Sequence, residues 1–313
     1  MPRSSWSRAA LAASLSLMAP SLAHAHAVCG DRVFPPTLVL DDPGFNDEAS
    51  LPTIQYTPLR AGGGNSSGSL TSYGYEWDKT VFPNFGFAIN GDYIVQHGGS
   101  GNQSGWDNTT VTVKGELPLR GFVDGAPECI EDHEFMASFG VIRLFAGTGS
   151  GSLARNGVIT SVSSTAPTIY LGKGMGDLPI DYLRPFAVTG EFGYQFSDSH
   201  NTVPNQWNYA ASLQYSMPYM QQHVKALDIP DFFTHLIPLV EFVYSRPQHG
   251  GPTFGTISPG IFYEEQAWQV GAEALIPGSG ATRRAQGTGF IVQFHVFLDD
   301  VFPNSLGKPL FSW

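Results

Sequence analysis

The sequence predicts an all-β fold: a single antiparallel transmembrane β-barrel of about twelve strands. Three observations carry this expectation. Between Ile237 and Asp299, four short segments alternate apolar with polar residues, and their apolar faces are rich in aromatics. Beyond the N-terminus, no stretch approaches the ~20 apolar residues of a spanning helix. A membrane-spanning form of this chain therefore has to close into a barrel, the other structure that satisfies its backbone in lipid. Charged residues make up 14% of the chain, against roughly 25% in soluble globules. That shortfall fits an outer surface that meets lipid.

The alternation is plainest in three of the four segments. Pro238–Arg246 sets Pro238, Val240, Phe242 and Tyr244 against Leu239, Glu241, Val243 and Ser245. Ala267–Ile276 sets Trp268, Val270, Ala272, Ala274 and Ile276 against Gln269, Gly271, Glu273 and Leu275. Phe290–Phe297 sets Phe290, Val292, Phe294 and Val296 against Ile291, Gln293, His295 and Phe297. Successive side chains on a strand point to opposite faces, so each segment has a greasy face and a mostly polar one. Gly, Ser, Gln and Glu are poor material for a packed core, so the polar faces are expected to line a lumen.

At the N-terminus, Arg3 and Arg8 precede an apolar run from Ala9 to Leu22, and Ala23-His24-Ala25 follows. This reads as a secretory signal peptide, Met1–Ala25, cleaved after Ala25. Residues 26–52 carry Pro and Asp without a sustained period and read as a periplasmic or lumenal lead-in, with the barrel over 53–313. Asp41, Asp42, Asp47 and Glu48 lack EF-hand spacing, and a solvated turn is the expectation for them. Cys29 and Cys129 are free to pair in an exported chain or to remain as thiols. With no CxxC or Cys/His cluster, no metal site is expected.

The upstream strands follow the same rule. Thr53–Pro58 is a weak first strand. Thr71–Asp78, Phe87–Gln96 and Thr109–Leu117 alternate clearly, separated by the Gly/Ser/Asn-rich pieces GGGNSSGS and HGGSGNQSGWDN. Glu134–Phe145 slips phase near Arg143, which implies a bulge there or an inward reach by that side chain. Thr168–Gly172 is short. Pro185–Ser197 and Asn208–Met217 alternate well, and Met220–Leu236 shows helical spacing interrupted by Pro230. Trp77, Trp106, Trp207, Tyr209 and Trp268 lie near segment ends and suit an interfacial girdle.

The expected lumen-lining set is Glu76, Asp92, Glu116, Glu191, Gln195, Gln214, Glu241, Glu264, Gln269, Glu273, Gln293 and His295, with Phe262 and Phe297 on the same face. Its acids are expected to be hydrated or paired with Lys114, Arg143 or Arg32. The set is net acidic, so anions should be repelled from a confined bore, and neutral or cationic solutes favoured. A chain with net charge −11 offers little basic surface to phosphates, which argues against nucleic acid as a partner. The Gly-rich stretches lack a Lys-Ser/Thr ending, and neither GxSxG nor HExxH occurs. The cluster Glu131-Asp132-His133-Glu134 reads as a charged loop rim. No catalytic residue and no cofactor is expected.

Several stretches together resemble a known family. They are CGDRVFPPTLVLDDPGFNDEASLP, HEFMASFGVIRLFAGTGSG, PTIYLGKGMGDLPIDYLRPFAVTGEFGY, SLQYSMPYMQQHVKALDIPDFFTHLIPLVEFVYSRP, ISPGIFYEEQAWQVGAEALIP and FIVQFHVFLDDVFPNSLGKPLF. Collinear over most of the mature chain, they resemble the bacterial outer-membrane family named for the meta pathway of phenol degradation, whose members are described as transporters. The resemblance implies an outer-membrane channel or transporter for small, neutral or hydrophobic molecules. It implies outer-membrane lipid, a small-molecule solute and the barrel-assembly machinery as partners, and it carries over no catalytic residue. The alternative is an exported soluble β-sandwich, a binding protein or enzyme, whose strands would also alternate. A sandwich should show a Lys- and Glu-rich solvent face, yet the whole chain holds only five Lys.

Overall fold

The computed structural model describes residues 27–61, 67–98, 101–119, 122–123, 126–127, 129, 131 and 133–311; the expected signal peptide, Met1–Ala25, lies outside them. Its main sheet closes into a twelve-stranded antiparallel barrel. The strands are β1 Glu48–Leu59, β2 Gly68–Phe82, β3 Phe85–Gly98, β4 in two segments (Gln103–Trp106 and Thr110–Glu116), β5 Phe135–Leu144 and β6 Ser164–Gly174. They continue as β7 Phe186–Ser197, β8 Gln206–Tyr215, β9 Leu236–Pro247, β10 Phe254–Glu264, β11 Trp268–Pro277 and β12 Gly289–Phe297. β12 returns to β1 in a ladder running from Phe290↔Tyr56 to Phe297↔Glu48. A single closed sheet leaves no place for the two layers of a sandwich.

Burial follows the period of two. On β11, Gln269, Gly271, Glu273 and Leu275 are buried, while Val270, Ala272 and Ile276 are exposed. On β8, Ala210, Ser212 and Gln214 are buried, and Trp207, Tyr209, Ala211 and Leu213 are exposed. Phe139, Ile169, Phe192, Phe242, Ile261, Phe290 and Phe294 stand exposed on the outside. An apolar surface this extensive, on every side, needs lipid rather than water against it. Aromatics gather near both strand ends. Tyr93 and Trp106, 5.5 Å apart, and Phe192 and Trp207, 5.3 Å apart, lie toward the end opposite the termini. Tyr263 and Trp268, 5.7 Å apart, lie toward the end that carries the termini.

Four local features depart from the alternation-based expectation. β1 begins at Glu48, so residues 48–52 belong to the wall and the lead-in ends at Asp47. Its pairing with β2 shifts register between Ser50 and Thr53, which breaks the apolar phase there. The Gly-rich stretch after β3 is only partly loop: Gln103–Trp106 pairs with Tyr93–Gln96 and forms the outer part of β4. Gly105 is needed at that point because a Cβ there would run into the Ser150 carbonyl and lie 3.0 Å from Gly151 Cα. Arg143 neither bulges nor turns inward. β5 runs in unbroken register with both neighbours, and Arg143 sits at the outer rim, paired with Asp198 at 2.6 Å. As the helical spacing of Met220–Leu236 led us to expect, the connection from β8 to β9 is helical, in two pieces, Met217–Val224 and Asp231–Thr234.

Residues 27–47 run inside the barrel. They open with a hairpin of Ala27–Cys29 and Arg32–Phe34, and Cys29, Phe34, Leu40 and Phe45 are at most 2% exposed. Cys29 is disulfide-bonded to Cys129, with 4.8 Å between the Cα atoms. The wall makes room with glycine: a Cβ on Gly172 would lie 2.6 Å from Pro43 Cγ.

Two outcomes test this arrangement. A charge at the bilayer midplane on the lipid face costs about 2–4 kcal/mol. Val240→Arg should therefore depress folding yield in lipid far more than Glu241→Gln; equal yields would reverse the assigned faces. Replacing both cysteines by serine opens a loop of 100 residues and should lower unfolding stability by about 2–5 kcal/mol, read by chemical denaturation in bilayers.

Candidate functional site: the filled bore

A barrel of twelve strands is wider than the eight-stranded barrels that inward side chains alone fill, and narrower than the 16–18-stranded porins that leave a wide aqueous channel. Residues 27–47 take up part of the difference, and inward residues from around the wall hold them. On one side, the Lys114 ammonium lies 2.8 Å from Asp41 and 3.7 Å from Asp42, and it also donates to the Asp42 carbonyl. Lys114 further lies over the rings of Tyr170 and Phe45 at 4.9 and 5.5 Å. The Ser138 hydroxyl donates to the Pro43 carbonyl. Opposite, the Glu241 carboxylate accepts from the Val39 and Leu40 N–H groups at 3.1 and 3.3 Å, and Gln269 donates to the Pro36 carbonyl at 2.7 Å. Burial pushes the Asp42 carboxyl up to about 7; Lys114 pulls against this, while Asp41 adds to it.

Both ends of the segment are fixed. At the start, Arg32 donates to the Pro185 carbonyl at 2.7 Å, and its guanidinium lies 5.1 Å from the Tyr219 ring. At the finish, Asp47 accepts from the Lys79 ammonium at 2.8 Å and from the Thr80 N–H at 2.9 Å. Lys79 also donates to the carbonyls of Leu306 and Lys308, which ties the C-terminal tail to the same corner. Asp41, Asp42, Asp47 and Glu48 therefore form no solvated turn. Three of them meet bases and donors of the wall, and Glu48 lies 3.0 Å from His295 Nε2.

A cavity of about 490 Å³ remains on one side, between residues 36–41 and the wall of β12, β1–β5, β6 and β7. Of the expected lumen set, Glu76, Asp92, Glu191, Gln293 and His295 line it. Asp41, Glu48 and Asp107 join them, so among the described residues six carboxylates face the cavity and no Lys or Arg does. Glu241 and Gln269 lie under the inserted segment instead, with Glu273 packed beside Glu241 and Gln214 buried on the same wall. Glu116 approaches the Phe45 backbone, and Glu264 lies within reach of the Arg32 charge. Gln195 sits near the rim and accepts from Gln206 at 3.1 Å. Phe262 and Phe297 are fully buried. Sequence reasoning did not single out Asp107, Asn108 or Tyr170. Asn108 is the rim hub: its carbonyl oxygen accepts from the N–H groups of Gly147 and Gly149, and its amide donates to Thr160. An Asn beside the strand break in β4 was the one available signal.

Neither a protein-family model nor a curated protein sequence matches this chain. Solved structures do. An outer membrane channel from Pseudomonas putida F1 aligns at TM-score 0.51 and 11% identity, covering 83% of this chain and 99% of that one. The KdgM porin, solved in complex with disordered oligogalacturonate, aligns at TM-score 0.43 and 12% identity over 78% and 98% of the two chains. The translocator domain of the autotransporter NalP from Neisseria meningitidis aligns at 0.40 and 12%, over 81% and 88%. At such identities the likeness is one of fold: this chain has the fold of an outer-membrane β-barrel.

The Lys114 cluster gives a direct test. Removing one partner of a buried charge pair costs about 3–5 kcal/mol, because the other charge is left uncompensated. Lys114→Met should destabilise the docked segment by that order, and adding Asp42→Asn should recover part of the loss. Denaturation in lipid and protease cleavage of residues 27–47 both report it.

Proposed function

We propose that this chain is a channel or transporter of the bacterial outer membrane for small neutral, hydrophobic or cationic molecules, of the family named for the meta pathway of phenol degradation. One observation carries the reading: a lipid-facing barrel whose bore keeps a 490 Å³ cavity beside a tethered internal segment. Among the described residues six carboxylates and no Lys or Arg line that cavity, and like charges repel strongly across a confined, poorly solvated bore. Small anions are therefore disfavoured. Leu38, Tyr75, Ile142, Leu144 and Tyr170 on the same lining offer contact to an apolar or aromatic solute. The fold shared with the Pseudomonas putida channel supports the membrane address, and the collinear stretches quoted above support the family.

Reconstitution into planar bilayers tests the reading. The intact protein should show low conductance, and its reversal potential in a salt gradient should favour cations. Glu76→Gln combined with Asp92→Asn should reduce that preference. Anion preference, or no response to the double substitution, would remove the electrostatic argument. Recovery of the protein as a freely soluble periplasmic species would remove the address.

A further inference from the structure

The segment inside the bore is unevenly held. Its start is covalently fixed through Cys29–Cys129, and its finish is held by Asp47 against Lys79 and Thr80. Residues 41–43 are clamped to Lys114 and Ser138. Between these anchors, Pro36–Leu40 is a partition. One of its sides faces the 490 Å³ cavity; the other rests on β9–β11.

That second contact is poorly matched. The cross-strand register sets Ser212, Glu241 and Ser258 side by side on β8, β9 and β10. Ser258 Oγ, Gln214 Oε1 and Gln269 Oε1 are buried there without a hydrogen-bond partner, in side chains at most 1% exposed. Buried polar atoms of this kind ordinarily find partners, and leaving them unpaired favours any state that wets them. Release is opposed by contacts along the whole partition, among them a bond between the Thr37 side chain and Glu241. Leu38 packs on Ile237, Leu239 and Phe262, Gln269 holds Pro36, and Glu241 holds the Val39 and Leu40 N–H groups at 3.1 and 3.3 Å. Glu241 is the latch, bonded to Thr37, Val39 and Leu40 alike. The adjoining cavity supplies the room into which the partition can move.

We propose that Pro36–Leu40 is a gate. Tethered at both ends and latched by Glu241, it swings off β9–β11 into the cavity and uncovers the polar row Ser212–Glu241–Ser258. This rests on the channel reading for its purpose, but not for its test. Ser258→Cys places a thiol in a row that is closed to solvent while the gate is docked, and the two native cysteines are already bonded. The purified, lipid-reconstituted protein would be treated with a small methanethiosulfonate reagent.

The expected result is measurable labelling of Ser258→Cys. Adding Glu241→Gln should make it about tenfold faster, since a hydrogen bond to a charged group is lost. A cross-link from Leu38→Cys to Phe262→Cys, positions that pack together in the docked state, should abolish it. If Ser258→Cys does not assemble, Ser212→Cys in the same row replaces it. Absence of labelling with and without Glu241→Gln overturns the gate, and so does labelling that ignores the cross-link. Labelling without any conductance leaves the gate standing and removes the channel reading. Conductance without labelling does the reverse.

Discussion

The ladder between β12 and β1 is the constraint on which the other features depend. In lipid an unpaired backbone N–H or C=O has no water to turn to, so a sheet in a membrane must have no edge. Closing it commits every strand to one greasy and one polar face. Twelve strands then enclose a bore whose lining is the polar half of the pattern: Glu241, Gln269, Glu273 and their neighbours. These residues cannot form a core among themselves. The chain answers by threading its own residues 27–47 through the space, bringing Phe34, Leu40 and Phe45 to fill volume and its backbone N–H groups to satisfy carboxylates.

Much of the barrel was legible because it is local. A period of two survives in any short window, so Glu241, Gln269, Glu273 and Gln293 declared their face from their neighbours alone. The failures have equally local causes. The start of β1 hid behind the register shift at Ser50–Thr53. The outer half of β4 hid in a stretch whose glycines serve a close backbone approach rather than a turn. Arg143 looked misplaced because a rim position tolerates a charge on the outer face when Asp198 stands beside it.

The interior arrangement was less legible because it is non-local. Asp41 and Lys114 are 73 residues apart and Val39 and Glu241 are 202 apart. Nothing in either neighbourhood marks the other. Composition did show that acids outnumber bases, but not which acids a base would reach. That question decided the site: five of the expected lumen residues line open space, while Glu241 and Gln269 serve the inserted segment.

The distribution of bases then explains why the remaining cavity stays acidic. Lys79 and Lys114 are the buried lysines of the wall, and both are turned to the inserted segment, one to Asp47 and the other to Asp41 and Asp42. Arg32, carried by the segment itself, points to Pro185 and Tyr219 near the other anchor. Each base thus fixes an end or a flank of the segment and is withdrawn from Glu76, Asp92, Asp107 and Glu191. The same contacts that keep the filler in place leave the unfilled side with carboxylates and a single histidine. Anchoring the segment and setting the sign of the cavity are therefore one electrostatic arrangement. A change that frees Lys114 from Asp41 would alter the field along the cavity as well as the hold on the segment.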